Sequence, residues 1–235
     1  MVRAGRNGTG AASRNSGASA HVQAKRERRR EEILQAALHA FREHGYHAVT
    51  LEHIAERVGV RKTALYHYFP DKDAILHACH LDSLVQLERI VAEARRLPGP
   101  PAQLRHVVVE HVRAMAHARD GSPLAFEVTA FGGRRQAEVV DGRDRYEREI
   151  RRIIEAGIRG GAFRAVDAKV ATFAILGALN WVARWFRTDG ALDAAAIGAQ
   201  FADQLVGGLE ARPASRSLHR PRGTARARMP RKVSA

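Results

Sequence analysis

A chain of 235 residues with 45% hydrophobic and 27% charged residues is long enough to bury its own core, and its single cysteine, Cys79, excludes an internal disulfide framework. No stretch approaches the roughly 20 apolar residues needed to span a bilayer. The opening MVRAGRNGTGAASRNSGASA lacks the apolar centre of a secretory signal, so a cytoplasmic location is expected. The net charge of +14 is concentrated at the two ends: residues 1–30 hold eight Lys/Arg against one acid, and residues 211–235 hold eight and no acid. That leaves a near-neutral body between two basic, Gly/Ser/Pro/Arg-rich arms, a distribution drawn to a polyanion although it also suits solubilising tails. Residues 1–24 and 211–235 are expected to be disordered arms, flanking segments at 25–72 and 73–210.

From Lys25 the pattern turns helical, with Ile33, Leu34, Ala37, Leu38 and Phe41 on one face and Gly45 as the stop. Thr50 is a good N-cap for a two-turn helix whose stripe is Leu51, Ile54, Ala55 and Val58, and Gly59 supplies its end. A third short helix is predicted over Arg61–Tyr68, ended at Phe69-Pro70 because proline disfavours helix in the residue before it. Asp71 then caps a long fourth helix through Ile75, Leu84, Leu87 and Val91. Two short helices joined around a glycine form a helix-turn-helix pattern, and the second is the candidate recognition helix.

Leu97-Pro98-Gly99-Pro100-Pro101 is a break. Helices follow at about 102–119, at 123–131 after Ser122-Pro123, and at about 134–159 before Gly160-Gly161. Asp167 caps an apolar helix to Thr188, and Asp193 caps the last one, to about Leu209. No segment sustains period-two alternation. The expected fold is all-α: an N-terminal three-helix helix-turn-helix domain and a C-terminal helical ligand-binding and dimerisation domain.

The run Thr50-Leu51-Glu52-His53-Ile54-Ala55-Glu56-Arg57-Val58-Gly59-Val60, followed by Leu65-Tyr66-His67-Tyr68-Phe69-Pro70-Asp71-Lys72, resembles the DNA-binding domain of the TetR family over about 50 residues. The resemblance implies a homodimer whose recognition helices enter successive major grooves of a palindromic double-stranded DNA operator. A small-molecule effector would release it, so repression is the default. Arg61, Lys62 and Thr63 begin the recognition helix, where side chains meet base edges, and Arg or Lys there favours guanine. Tyr66 and His67 suit phosphate or thymine-methyl contacts, while Thr50 and Lys72 sit where the family touches phosphate. A solvated face is the alternative for Arg61 and Lys62, and core packing is expected for Val60, Leu65, Tyr68 and Phe69. The family often has a small polar residue at the position of Arg61 and glycine or proline at that of Thr63, so the base preferences of relatives do not transfer. The cluster Lys25-Arg26-Glu27-Arg28-Arg29-Arg30 could follow neighbouring phosphates or a minor groove, or form a solvated helix start.

In the second half, the stretch from Gly177 to Gly190 is similar to a TetR branch that regulates fatty-acid or steroid breakdown and responds to acyl-CoA thioesters. This resemblance implies an apolar channel at Phe131, Tyr146, Phe173, Trp181 and Trp185, with Arg184 or arginines of the 143–152 stretch pairing with phosphates or a carboxylate. A hydrophobic drug or metabolite is the alternative effector, core or dimer packing is the alternative role for each aromatic, and surface charge balanced by Asp144, Glu147 and Glu149 is the alternative for the arginines. Small residues in the last two helices (Gly177, Ala178, Ala183, Gly198, Ala199, Ala202) would let them approach closely across a two-fold axis.

An enzyme finds no support: no serine sits in a nucleophile elbow, and no glycine-rich phosphate loop follows a strand. His77 and His80 share a helical face, but two ligands do not close a metal site, so neither metal nor cofactor is expected. An architectural DNA binder acting through its arms is the remaining rival.

Overall fold

The computed structural model describes residues 10–117 and 132–211, and every regular element among them is a helix. In chain order these are α1 (Gly10–His44), α2 (Leu51–Val58), α3 (Lys62–Leu65), α4 (Lys72–Ala94), α5 (Gly99–His117), α6 (Gly133–Arg159), α7 (Ala168–Trp185) and α8 (Ala194–Leu205). The expected helix at 123–131, with Phe126 and Phe131, lies outside the described residues, as do residues 1–9 and 212–235.

Helix α1 begins fifteen residues ahead of the expected start at Lys25. The segment 10–24 contains no proline and one β-branched residue, so nothing in it arrests a helix that propagates outward from the packed part. Ile33, Leu34, Ala37, Ala40 and Phe41 form the buried face, as the periodicity predicts.

In α2, the Thr50 hydroxyl accepts from the His53 amide, and the His53 ring Nδ1 accepts in return from the Thr50 amide at 3.3 Å. Histidine here does the work that glutamate usually does in a capping box. Gly59 adopts φ +70°, a left-handed conformation that a Cβ would strain, and so turns the chain toward α3. Helix α3 is shorter than expected: past Leu65 the chain continues in tight turns, with His67 N donating to Ala64 O and Tyr68 N to Leu65 O.

Two hydrophobic cores share one rod. Ile75, Leu76, Cys79 and Leu84 of α4 pack into the N-terminal core with Ile33, Phe41, Ile54, Leu65 and Phe69. Leu87, Ile90, Val91 and Ala94 of the same helix pack into the C-terminal core with Leu104, Val108, Ile150, Ile154, Leu179 and Val182. Helix α5 is the hub of that second core, touching α4, α6, α7 and α8. Helix α6 reaches back to the head: Val139 is fully buried in the N-terminal core, and Gly142 lets α6 lie against Leu84, since a Cβ there would meet Leu84 Cδ1 at 2.5 Å. After α8, Arg164 N donates to Leu209 O and Ala211 N to Ala162 O, tying the chain's last described residues to the α6–α7 loop. Helices α7 and α8 end at Trp185 and Leu205, three and four residues earlier than expected.

Candidate nucleic-acid interface

The helix-turn-helix is a polar blade on an apolar anchor. Leu65 and Phe69 are buried and fix α3 in the head core, each contributing roughly 1.5–3 kcal/mol. Tyr68 and Val60 pack half-buried at the core's edge. The residues around them are open to solvent: Arg61, Lys62, Thr63, Tyr66 and His67 are all exposed, so the core claims none of the five residues expected to meet bases or phosphates. Arg61 is the N-cap of α3 with an extended backbone and no side-chain cap bond, which leaves its guanidinium free of the helix start.

Lys62 pairs with Glu52 of α2 at 2.5 Å and lies over the Tyr66 ring at 5.9 Å. Its ammonium, helped by the backbone and the Thr50 hydroxyl, holds the Glu52 carboxyl down to about 2. Both partners are exposed, so the pair is in open competition with any nearby phosphate or base acceptor.

Thr50 and Lys72 have internal work. Thr50 is exposed, but its hydroxyl is part of the α2 cap. Lys72 Nζ donates to the carbonyls of Tyr46 (2.7 Å), Val49 (2.8 Å) and His47 (3.4 Å), and sits 4.3 Å from the centre of the Tyr46 ring. These contacts engage the ammonium's three donors and staple the α1–α2 loop to α4. Nothing local in the sequence signalled this, because the carbonyls lie 23 to 26 residues upstream.

A second feature, missed in the sequence, links head to body. Arg135, at the start of α6, forms a bidentate pair with Asp71 at 2.8 and 3.2 Å, and Asp71 is also the N-cap of α4, accepting from the Ala74 amide at 2.6 Å. The guanidinium and that amide hold the Asp71 carboxyl below the usual carboxylate range against the opposing effect of its burial. Further along the same seam, His77 pairs with Glu138 at 3.1 Å, and His80 is fully buried, its pKa lowered to about 3 by burial and then by Arg143 and His77.

The expected effector residues do not converge. Tyr146 is buried in the body, where its hydroxyl meets His111 Nδ1 at 2.9 Å while His111 Nε2 meets Asn180 Oδ1 at 3.1 Å. Burial holds His111 down to about 4, so the ring is neutral: Nε2–H donates to Asn180 and Nδ1 accepts from the tyrosine. Phe173, Trp181, Arg184 and Trp185 instead occupy the outer face of α7, where Phe173 and Trp181 are 54% and 59% exposed. Their spacing does place them on one side of the helix, but the inner side belongs to Thr172, Ile175, Leu179 and Val182. Arg184 stacks over the Trp181 ring at 5.4 Å, and Trp185 with Phe201 borders a cleft of about 350 Å³ between the end of α7 and α8. Phe131 lies outside the described residues. Among the described residues, no three potential ligands cluster to hold a metal ion, and no helix is long and apolar enough to cross a membrane.

An exposed polar recognition face, a capped helix-turn-helix and a separate helical body joined to it by one shared rod define a DNA-binding regulator of the helix-turn-helix class. The N-terminal family model of the bacterial regulatory proteins of the tetR family matches residues 33–79, and the tetracyclin repressor-like C-terminal domain matches 98–209. The chain is 31% identical over 161 residues to the HTH-type transcriptional regulator HbdR of Aromatoleum sp. (strain CIB), covering 68% of this chain and 69% of that protein. It is 27% identical over 193 residues to the HTH-type transcriptional repressor KstR2 of Rhodococcus jostii (strain RHA1), covering 77% and 91%. The chain belongs to the TetR family of transcriptional regulators. The crystal structure of AibR in complex with isovaleryl coenzyme A and operator DNA shares the fold, with a TM-score of 0.67 and 24% identity over 77% of this chain and 98% of that one.

Proposed function

We propose that the protein is a homodimeric repressor that binds a palindromic operator through α3 and leaves it when an acyl-CoA thioester occupies the body. The observation that carries the DNA half of this reading is the exposed face of Arg61, Lys62, Thr63, Tyr66 and His67 on buried Leu65 and Phe69. Arg61 and Lys62 reach guanine edges, Thr63 and Tyr66 meet thymine methyls or phosphates, and His67 contacts the backbone. Thr50 and Lys72 support phosphate binding indirectly, by fixing the α2 start and the α1–α2 loop.

Operator release follows from the shared rod. Helix α4 is packed into both cores, and α6 grips it at Asp71, His77 and Leu84, so an effector that repacks α6 moves the recognition helix. The dimer seam runs along the outer face of α7, where Val170, Phe173, Trp181 and Trp185 leave an exposed apolar stripe of the kind that marks interaction surfaces. The acyl-CoA assignment is supported by the likeness of the 177–190 stretch to the acyl-CoA-responsive branch and by a shared fold that, in AibR, holds isovaleryl coenzyme A together with operator DNA. The recognition face is tested by enriching bound duplexes from a random pool with the parent chain and with Arg61→Ala. The parent chain should enrich a palindrome, and the variant should lose discrimination at one base pair per half-site, worth about 1–3 kcal/mol. Enrichment of no motif by the parent chain would contradict the reading.

A further inference from the structure

Five cations lie along α1 between Ala20 and Arg30, and the function proposed above uses none of them. Residues 20–28 are exposed without interruption on a helix that continues into the packed head. Two of the five are occupied: Arg29 pairs with Glu32 at 2.7 Å, and Arg30 pairs with Glu27 and Asp82 at 3.6 Å each while lying over the Phe69 ring. Lys25, Arg26 and Arg28 have no carboxylate within ion-pair distance among the described residues. Their spacing puts like charges on adjacent turns, so the segment repels itself in water, a penalty that a polyanion reverses.

Position selects the polyanion. Arg28 borders a cleft of about 530 Å³ with Glu31 and Glu32 of α1 and with Arg57 and Val58 at the end of α2, directly ahead of the turn that leads to Arg61. The helix N-terminal to Arg28 therefore starts beside the helix-turn-helix and runs outward from it, reaching Ala20 after a rise of about 12 Å. The three free cations, Lys25 to Arg28, occupy a rise of about 4.5 Å of it, which with the reach of their side chains matches two or three successive phosphates on one DNA strand, about 3.4 Å apart along the axis. A compact set of three free cations beside the recognition element fits the backbone of the duplex flanking each half-site. An acidic protein would call for apolar anchors among the charges, and the only large apolar side chain there is Val22.

We propose that residues 20–30 of α1 are a second DNA-binding element, which lies on the phosphates flanking each half-site and sets affinity without choosing sequence. This rests on the reading of the chain as a dimeric operator-binding regulator. The test is the full-length triple variant K25A/R26A/R28A, with the charge-keeping K25R/R26K/R28K as control. Fluorescence anisotropy is measured on the duplex enriched by the parent chain and on a scrambled duplex, across about 50 to 200 mM salt. Alanine preserves the helix, and all three side chains are exposed, so folding is untouched.

Six cations per dimer should lower the slope of log K against log salt by about 5, on both duplexes alike, with the ratio between the duplexes unchanged. The charge-keeping variant should restore the parent slope. Unchanged slopes, or a loss confined to the enriched duplex, overturn the proposal. Failure of the underlying reading is told apart because it shows in the parent chain, as equal affinity for the two duplexes.

Discussion

Trp181 gives the sharpest test of what the outer face of α7 is for. At 59% exposure, a side chain of this size leaves roughly 100–150 Å² uncovered in the protomer. If the partner subunit covers it, about 25 cal/mol per Å² gives about 3 kcal/mol for each copy and about 6 kcal/mol for a symmetric dimer. Trp181→Glu removes that burial and sets two carboxylates in the seam, so the dimer dissociation constant should rise at least about 10⁴-fold. Sedimentation equilibrium across a concentration series reads this directly, and operator affinity should fall in parallel because two half-sites need two heads. A variant that dimerises as tightly as the parent chain but no longer responds to effector would refute the reasoning. It would return Trp181 to the effector channel that its resemblance first suggested.

Lys72→Met should lower head stability by about 2–4 kcal/mol, through the loss of three charge-assisted bonds to carbonyls, and thermal unfolding checks this. Unchanged unfolding, together with a salt slope reduced by about 1 per head, would make Lys72 a phosphate contact instead. Arg135→Gln breaks a half-exposed pair and should cost under about 1 kcal/mol of stability. It should nevertheless weaken the coupling between effector and operator, seen as effector binding that no longer displaces DNA; full displacement would exclude the clamp from the relay. His111 titrates at about 4 in the folded chain and near 6.5 when unfolded, so the unfolded state takes up the proton first. Stability should be complete above about pH 6.5 and fall toward pH 4, by on the order of 3 kcal/mol from this one group. His111→Leu should flatten that limb of a denaturation-versus-pH curve while lowering stability at neutral pH, since Tyr146 and Asn180 lose their partner.

The head was legible because its signals are local. Thr50, Gly59, Pro70 and Asp71 each act within four residues, and together they fix the helices and the exposed face of α3. What local reading could not supply were the bonds that close over long stretches of chain. The carbonyls held by Lys72, the Arg135 clamp on Asp71 and the His111–Tyr146–Asn180 relay join residues 23 to 69 positions apart. In the body, periodicity showed that Trp181 and Trp185 share a face of α7 but carried no information on which face meets the core. The aliphatic stripe of Ile175, Leu179 and Val182 takes the inside because it interdigitates with α5 and α6, leaving the larger rings outside. Helix α1 began early for the converse reason: residues 20–24, ahead of the expected start, are exposed, so no packing pattern marked them.

The central claim is release of a specific operator by a thioester, and the most direct measurement is anisotropy of the purified dimer on the intergenic DNA upstream of its own gene. The complex is titrated in parallel with a panel of acyl-CoA thioesters and with the matching free acids. The account predicts tight binding that a scrambled duplex does not reproduce, and release by one or more thioesters but not by their acids. Specific binding that no thioester disturbs would contradict the effector assignment, and equal binding to scrambled DNA would contradict the regulator itself.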